Sequence, residues 1–259
     1  MINPLVVKLG GSILEKEIAL NNLFKTIVSY RKIANRCITI IHGGGSIIDN
    51  LMNKLSLKSI KKNGLRITPS DQIDIVIAAL AGIANKKLLA LAKKIGINAV
   101  SLCLGDGHIV NTIQFNKNLG HVGNAFIGKP KLLNILFDND YVPIISSIGI
   151  DNKGILLNIN ADEAATALAL TLNADLVLLS DVHGIINNEG NTIAEINTYE
   201  AEKLISENII QNGMIIKVRA ALTAARTLNR PVNIASWEQA DQLINLFNGC
   251  YSVGTKVFV

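Results

Sequence analysis

Apolar residues along the chain alternate between short runs rich in β-branched side chains and longer stretches with helical spacing. Leu5–Leu9 (LVVKL) and residues 37–41 (CITII) are almost continuously apolar, which indicates strands buried on both faces of a sheet. Residues 19–33, between them, have the spacing of an amphipathic helix. Because strands alternate with helices, the pattern predicts an α/β protein: a three-layer αβα sandwich with a mostly parallel central sheet.

The alternation continues to the end of the chain. Residues 109–126 hold short alternating runs separated by Gly and Asn, which predicts a hairpin. Ser46 is a candidate N-cap for the helix predicted at 47–55. Further strands are predicted at 99–104, 142–148, 155–159, 176–179, 232–235 and 255–259. Further helices are predicted at 47–55, 72–94, 130–137, 161–172, 198–207, 214–228 and 239–247.

Composition narrows the classes of partner. Apolar residues make up 49% and charged residues 17% of the 259 residues, which is enough apolar surface for a folded core. The formal net charge of +5 favours an anionic partner. Since the basic residues are scattered singly and in pairs, without a basic tail or an RNA-binding motif, a small anionic substrate is favoured over nucleic acid.

Cysteine usage and the N-terminus indicate a cytoplasmic protein. The three cysteines are far apart and form no CxxC pair, so neither a disulfide framework nor a zinc site is predicted, and the four histidines lack metal-ligand spacing. The chain begins MINPLVVKLGG, without the basic n-region or the small-residue cleavage site of a signal peptide. The longest apolar run, residues 75–84, is about half a membrane span, so no membrane insertion is expected.

Two glycine clusters follow the first two predicted strands. Gly10 and Gly11 come after the first, and Gly43, Gly44 and Gly45 come after the second. Each cluster alone fits a tight turn between a strand and a helix. Glycine also lets a phosphate approach backbone N–H groups, and the following helix N-terminus favours an anion. Because ligands of parallel sheets bind beyond the carboxyl ends of the strands, two such loops together favour an anion site.

Three charged residues are candidates for chemistry. Lys8 interrupts an apolar strand just before glycines, a costly position unless its ammonium reaches a cleft or a partner. Asp162 begins a predicted helix, where an acidic residue could serve only to interact with the helix dipole. Lys217 lies near the start of another predicted helix, where it also fits a solvated surface lysine. The P-loop, GxGxxG and protein-kinase signatures are absent, so ATP would require a different cradle.

These residues lie in stretches that together resemble a known family. The chain resembles the acetylglutamate kinases of the amino acid kinase superfamily from Leu5 to its C-terminus. The lysine–glycine start is common to the superfamily, whereas the combination of the later stretches is more specific. The stretches are VVKLGGS (6–12), IIHGGG (40–45), KKNGLRITP (61–69), NINADEAA (158–165), LLSDVHGI (178–185) and GMIIKV (213–218).

The resemblance implies a role for each matching position. Lys8 and Lys217 would stabilise charge on the transferred phosphoryl group, and Asp162 would hold both lysines. Gly44, Gly45, Arg66 and Asn158 would bind N-acetyl-L-glutamate, and no residue is expected to be a dedicated metal ligand. ATP would bind with Mg²⁺ held mainly by its phosphates, next to Gly10, Gly11, Asp181, Val182, His183, Gly184, Ile185, Ile186, Ile209, Ile210 and Gln211.

The chemistry of the implied reaction suits these residue types. A γ-carboxylate has a pKa of roughly 4.3 and is already ionised at pH 7, so no general base is needed. The obstacle is repulsion between two anions, which lysines and glycine-loop N–H groups relieve. Arg66 suits the α-carboxylate because a guanidinium donates two parallel hydrogen bonds, although an arginine before Thr68 and Pro69 also fits a surface turn.

Two alternatives remain at the level of sequence. One is a related carboxylate kinase acting on glutamate, aspartate or an aminoadipate derivative, and the other is a non-catalytic nucleotide sensor on the same fold. The resemblance further implies one kinase domain over residues 1–259. An N-terminal lobe (about 1–173) would bind the amino acid, and a C-terminal lobe (about 174–259) the nucleotide. A homodimer insensitive to arginine is expected, since arginine-inhibited relatives carry an additional N-terminal helix.

Overall fold

Eight strands form the central sheet of the computed structural model, which describes residues 2–62, 64–249 and 253–259. Their order is β12-β14-β13-β11-β1-β2-β8-β5, and every neighbouring pair is parallel except β13 with β14. These strands are β1 (Leu5–Leu9), β2 (Ile38–His42), β5 (Ala99–Cys103), β8 (Val142–Ser146), β11 (Asp175–Ser180), β12 (Glu195–Ile196), β13 (Val232–Ser236) and β14 (Thr255–Val257). The mostly parallel α/β sheet predicted from the sequence is confirmed.

Helices cover both faces of this sheet. The helices are α1 (Glu17–Ile33), α2 (Gly45–Lys54), α3 (Ile73–Ile77), α4 (Asn85–Ile95), α5 (Lys131–Asp138), α6 (Ala161–Leu172), α7 (Thr198–Ser206), α8 (Asn212–Leu228) and α9 (Ala240–Phe247). One apolar cluster joins the sheet to α1, α4 and α9, and a second joins the opposite face to α6 and α8. The two helical layers therefore each bury one face of the sheet, as the near-continuous apolar strands require.

The alternation of side chains along β1 decides where Lys8 points. Leu5, Val7 and Leu9 belong to the core under α1, whereas Val6 belongs to the core under α6 and α8. Because successive side chains of a strand point to opposite faces, Lys8 shares the face of Val6. The lysine is therefore directed toward the helices that carry Asp162 and Lys217.

A second sheet of four strands lies beside the first, with the order β6-β7-β10-β9. Its strands are β6 (Val110–Gln114), β7 (Val122–Ile127), β9 (Ile148–Ile150) and β10 (Leu156–Ile159). The antiparallel pairing of β6 with β7 confirms the predicted hairpin. The single strand predicted over 142–148 is wrong, because the chain leaves the central sheet after Ser146 and β9 pairs with β10 instead.

Two short elements escaped the sequence pattern. Strands β3 (Lys61–Lys62) and β4 (Leu65–Arg66) form a small antiparallel hairpin. Helices α3 and α4 are joined by a π-helical segment, Ala78–Ala84, into one helix over Ile73–Ile95. Two-residue strands and a widened helical turn carry too few residues to give a periodic signal.

The helix Ile73–Ile95 is long and apolar enough to cross a bilayer, judged by length and composition alone. The expectation of no membrane insertion considered only the ten apolar residues 75–84, whereas this helix has 23 residues. The helix packs on α1, α2, β5 and β8, and its buried apolar residues include Val76, Leu80 and Leu88, whereas Ile83 is 37% exposed. Its composition is thus also that of a helix covering a sheet.

Candidate active site

Two cavities meet at the carboxyl end of β1, where they share two lining residues. The first, of about 280 Å³, is lined by the Gly43–Gly45 loop, the β3–β4 hairpin and β10. The second, of about 270 Å³, is lined by Gly10, the end of β11 and α8. Lys8 and Gly11 line both cavities. A group transferred from one cavity to the other would therefore pass these two residues.

Lys8 is held by an ion pair at this junction. Its Nζ lies 2.8 Å from Oδ1 of Asp162, and the lysine side chain is only 14% exposed. Asp162 stands in the first turn of α6, where Asn160 caps the helix by accepting hydrogen bonds from the N–H groups of residues 162 and 163. The helix start thus fixes the carboxylate, and the carboxylate fixes the ammonium.

Lys217 does not share this carboxylate, contrary to the expectation that Asp162 holds both lysines. Its Nζ donates to Oδ1 of Asp181 at 2.8 Å. Asp181 directly follows β11, the strand beside β1, and both residues line the second cavity. The hydrogen bond from Lys217 lowers the pKa of Asp181, and the charge of Lys8 contributes in the same direction. Each lysine therefore has its own carboxylate, while both ammonium groups face one cavity.

The glycines allow the two loops to pack together. A Cβ on Gly11 would lie 3.3 Å from the backbone nitrogen of Gly45, and one on Gly43 would lie 3.0 Å from Cβ of Ala161. Side chains at these positions would push the loops away from each other and from α6. The glycines thus bring the starts of α2 and α6 close to the end of β1.

The N-terminus of α2 is open to a ligand. The predicted cap, Ser46, is wrong: α2 begins at Gly45, and its N-cap residue Gly44 offers no side-chain hydrogen bond. Within the described part of the chain, the buried hydroxyl oxygen of Ser46 also lacks a hydrogen-bond partner. Uncapped N–H groups and a helix dipole favour a negative group in the first cavity.

Arg66 and Asn158 line the first cavity together with Gly44 and Gly45, so the structure brings all four predicted amino-acid ligands together. Nη2 of Arg66 donates to the carbonyl oxygen of Gly45 at 3.1 Å, and Nη1 donates to Oδ1 of Asp49 at 2.6 Å. Nδ2 of Asn158 donates to Oγ1 of Thr68 at 3.1 Å. Arg66 is thus a buried cation at the cavity wall, with a fixed position, and not a surface arginine.

The sequence of residues 3–236 matches the model of the amino acid kinase family. The chain belongs to the amino acid kinase family. It is 57% identical over its full length to acetylglutamate kinases from two strains of Buchnera aphidicola subsp. Acyrthosiphon pisum, 5A and Tuc7, whose full length is also covered.

Solved structures of other proteins have the same fold. Protein smu.665 from Streptococcus mutans UA159 superposes with a TM-score of 0.82 at 28% identity, over 100% of this chain and 99% of that one. N-acetylglutamate synthase from Neisseria gonorrhoeae, complexed with coenzyme A and N-acetylglutamate, gives a TM-score of 0.82 at 19% identity, over 99% of this chain and 59% of that one. Carbamate kinase from Giardia lamblia, bound to AMP-PNP, gives a TM-score of 0.71 at 18% identity, over 99% of this chain and 98% of that one. The last two show the likeness of fold alone.

The residues predicted to border the nucleotide are placed unevenly. Gly10, Gly11 and Asp181 line the second cavity. The side chains of Ile185 and Ile210 are buried in the core between the sheet and α8. The other predicted residues lie in loops after β11 and before α8, outside the lining of these two cavities. They are Val182, His183, Gly184, Ile186, Ile209 and Gln211.

Sequence reasoning missed Asp49 and Lys61, which belong to the same site. Lys61 lines the first cavity, and its Nζ donates to Oδ2 of Asp49 at 3.0 Å. The signal for Asp49 was its spacing, because residues four apart on a helix share a face and Gly45 is four residues earlier. Among the described residues there is no group of three His, Cys, Asp or Glu side chains arranged to hold a metal ion.

Proposed function

We propose that this chain transfers the γ-phosphoryl group of ATP to the γ-carboxylate of N-acetyl-L-glutamate. The products are N-acetyl-L-glutamyl 5-phosphate and ADP, as in a step of arginine biosynthesis. The observation that carries the proposal is the position of Lys8 and Gly11, which line both cavities at their junction. Full-length identity of 57% to acetylglutamate kinases supports the choice of substrate.

The amino acid would occupy the first cavity. Arg66 would donate to its α-carboxylate, and Asn158 and the loop Gly44–Gly45 would bind its remaining polar groups and place the γ-carboxylate near Lys8. A carboxylate oxygen then attacks the γ-phosphorus and forms a new P–O bond. The bond from phosphorus to the β,γ-bridging oxygen breaks, and its electron pair leaves with ADP.

The lysines would act through charge, and no side chain need accept a proton. The γ-carboxylate is ionised at neutral pH, so the barrier arises from two approaching anions and from the charge on the equatorial oxygens. Lys8 would neutralise charge at the junction, and Lys217 would do so from the nucleotide side. Asp162 and Asp181 orient these ammonium groups and are poor candidates for bases because each is already paired with one.

The nucleotide would occupy the second cavity, with its phosphates toward Gly10, Gly11 and Lys217. Since Asp162 and Asp181 are both engaged by lysines, the residues fit a Mg²⁺ ion that is bound mainly by the phosphates. When bound, that ion neutralises part of the phosphate charge. The nucleotide loop 181–186 would border the base through its backbone, given that Ile185 is a core residue.

A coupled assay of ADP release tests this function. Purified protein is supplied with MgATP and, in parallel, with N-acetylglutamate, glutamate, aspartate and an aminoadipate derivative. N-acetylglutamate should be preferred by orders of magnitude, since buried groups built to meet an amide reject analogues that lack it. Trapping the acyl phosphate with hydroxylamine identifies the product. Faster turnover of another acid would replace N-acetylglutamate as substrate, and no turnover of any acid would favour a nucleotide sensor.

We also infer a cytoplasmic homodimer that is insensitive to arginine. The absence of paired cysteines suits a reducing compartment, and the family resemblance supports the dimer. Light scattering coupled to size-exclusion chromatography would give the molecular mass of the assembly. The mass of a hexamer would contradict the inference. Adding arginine to the ADP-release assay should leave the rate unchanged.

A further inference from the structure

We propose that Asp49 is a positioning residue that orients the two cations of the amino-acid cavity, Arg66 and Lys61, and thereby sets the affinity for the substrate's α-carboxylate. The inference rests on the proposed function, in which Arg66 receives that carboxylate. Asp49 does not itself line the cavity. It would act only through the side chains that it holds.

The geometry gives each cation its own oxygen. Oδ1 of Asp49 accepts from Nη1 of Arg66 at 2.6 Å, and Oδ2 accepts from Nζ of Lys61 at 3.0 Å. Lys61 and Arg66 are directly opposite each other in the β3–β4 pairing. One carboxylate on α2 therefore bridges both members of a cross-strand pair that lies over the cavity.

The cross-strand pair Lys61 and Arg66 needs a nearby negative charge to be stable. Like charges directly opposite on two strands destabilise the pairing, and an isolated two-stranded hairpin is marginal in water. The Arg66 side chain is only 6% exposed, so an unpaired guanidinium would be costly there. Asp49 is the acidic side chain that contacts both cations and ties the hairpin to α2.

The environment keeps Asp49 ionised. Burial raises the pKa of this carboxyl, but hydrogen bonds from Arg66, Lys61 and Ser59 outweigh it and lower the pKa to about 2. The carboxylate is therefore charged throughout the working range of an enzyme. A constant negative charge is what a fixed support for two cations requires.

Arg66 retains donors for a ligand while Asp49 holds it. Nη1 is used by Asp49 and Ser59, and one hydrogen of Nη2 is used by the Gly45 carbonyl. No partner within the described ranges takes the N–H of Nε or the second hydrogen of Nη2. A guanidinium fixed on one side and open on the other is preorganised for a carboxylate, which reduces the entropy lost on binding.

The test compares Asp49→Asn with wild type in the full chain, with steady-state kinetics for both substrates. The amide keeps the shape but removes the charge. We expect the KM for N-acetylglutamate to rise about tenfold to a hundredfold, the range for losing a hydrogen bond to a charged group. We expect kcat and the KM for ATP to change less than threefold. Asp49→Glu, which restores the charge, should recover part of the affinity.

The matched control is Asp140→Asn, which removes the carboxylate of an exposed ion pair with Arg31 and should leave both KM values unchanged. A purely structural Asp49 would lower the melting temperature and the activity without separating the two KM values. A KM for the amino acid within twofold of wild type in Asp49→Asn would overturn the proposal. If Asp49→Asn does not fold, Asp49→Ser takes its place, and a KM for the amino acid within twofold of wild type in that variant would likewise overturn the proposal.

The wild-type substrate panel separates this inference from the proposed function. If the wild type does not phosphorylate N-acetylglutamate but does phosphorylate another α-amino acid derivative, the proposed substrate is wrong. The ratio of the KM of Asp49→Asn to that of wild type is then measured with the acid that the wild type accepts. Wild type that turns over N-acetylglutamate while Asp49→Asn matches it removes only the positioning role. If wild type turns over no acid, calorimetric titration with N-acetylglutamate decides: an equal Kd in both proteins would refute the role of Asp49.

Discussion

Replacing Lys8 by arginine tests whether the position of the ammonium, and not merely its charge, drives the reaction. The Cα of Lys8 is fixed because β1 is hydrogen-bonded on both sides, with Ile41 and Leu178 as register partners. The backbone therefore does not shift to absorb a longer side chain. Arginine keeps the positive charge but spreads it over a planar group that reaches roughly 1 Å farther.

The magnitude follows from this displacement. A misplacement of about 1 Å in a reacting site costs roughly a hundredfold in rate, and losing one charge stabiliser costs about 10²–10³, or ~2.7–4 kcal/mol. We expect Lys8→Arg to lower kcat about a hundredfold. The guanidinium still reaches Asp162, which is 2.8 Å from the native ammonium, so the free energy of unfolding should change by less than about 1 kcal/mol.

The assay is coupled ADP release at saturating N-acetylglutamate and ATP, together with urea unfolding followed by circular dichroism. Lys203→Arg is the matched control, because Lys203 lies on the exposed face of α7 and should tolerate the change. Turnover of Lys8→Arg within threefold of wild type would remove Lys8 from the mechanism. Raised KM values with unchanged kcat would reduce it to a binding residue.

Three further predictions concern the ion pairs around the site. Arg66→Lys should raise the KM for the amino acid at least tenfold and the KM for ATP less than twofold, because lysine cannot donate two parallel bonds; equal effects would contradict this. Asp181→Asn, which frees Lys217, should lower kcat about tenfold and leave the KM for the amino acid unchanged; wild-type turnover would show that the pair is dispensable. The folded-state pKa of Asp49 lies below its unfolded value, so its stabilisation is present above about pH 4 and is lost as pH falls toward 2. The difference in unfolding free energy between wild type and Asp49→Asn, from urea titrations at pH 5 and 3, should therefore shrink at the lower pH; a constant difference would argue against this ion pair.

Local signals were sufficient for the main elements and for part of the site. The apolar run LVVKL and the glycines after it predicted a strand and an anion loop, and both β1 and the cavity beyond it are present. The helix starting at Ala161 was predicted with its bounds. Such features depend on residues close in sequence, whose periodicity and capping chemistry are visible in one chain.

Errors arose where an outcome depended on distant residues. Asp162 was expected to hold both lysines, but the order β11-β1 places Asp181 beside α8, and Lys217 pairs with it. Residues 142–148 read as one strand because continuous apolarity does not tell which sheet a residue joins.

The sequence by itself determined the alternation of strands and helices, the strand that carries Lys8, and the residue types needed to bring two anions together. Those properties follow from side-chain periodicity and from intrinsic charge. Only the tertiary structure decided that Asp181 belongs to Lys217 and that Asp49 joins Lys61 to Arg66. The physical reason is that an ion pair depends on distances of about 3–4 Å between groups, and packing of the whole domain sets these distances.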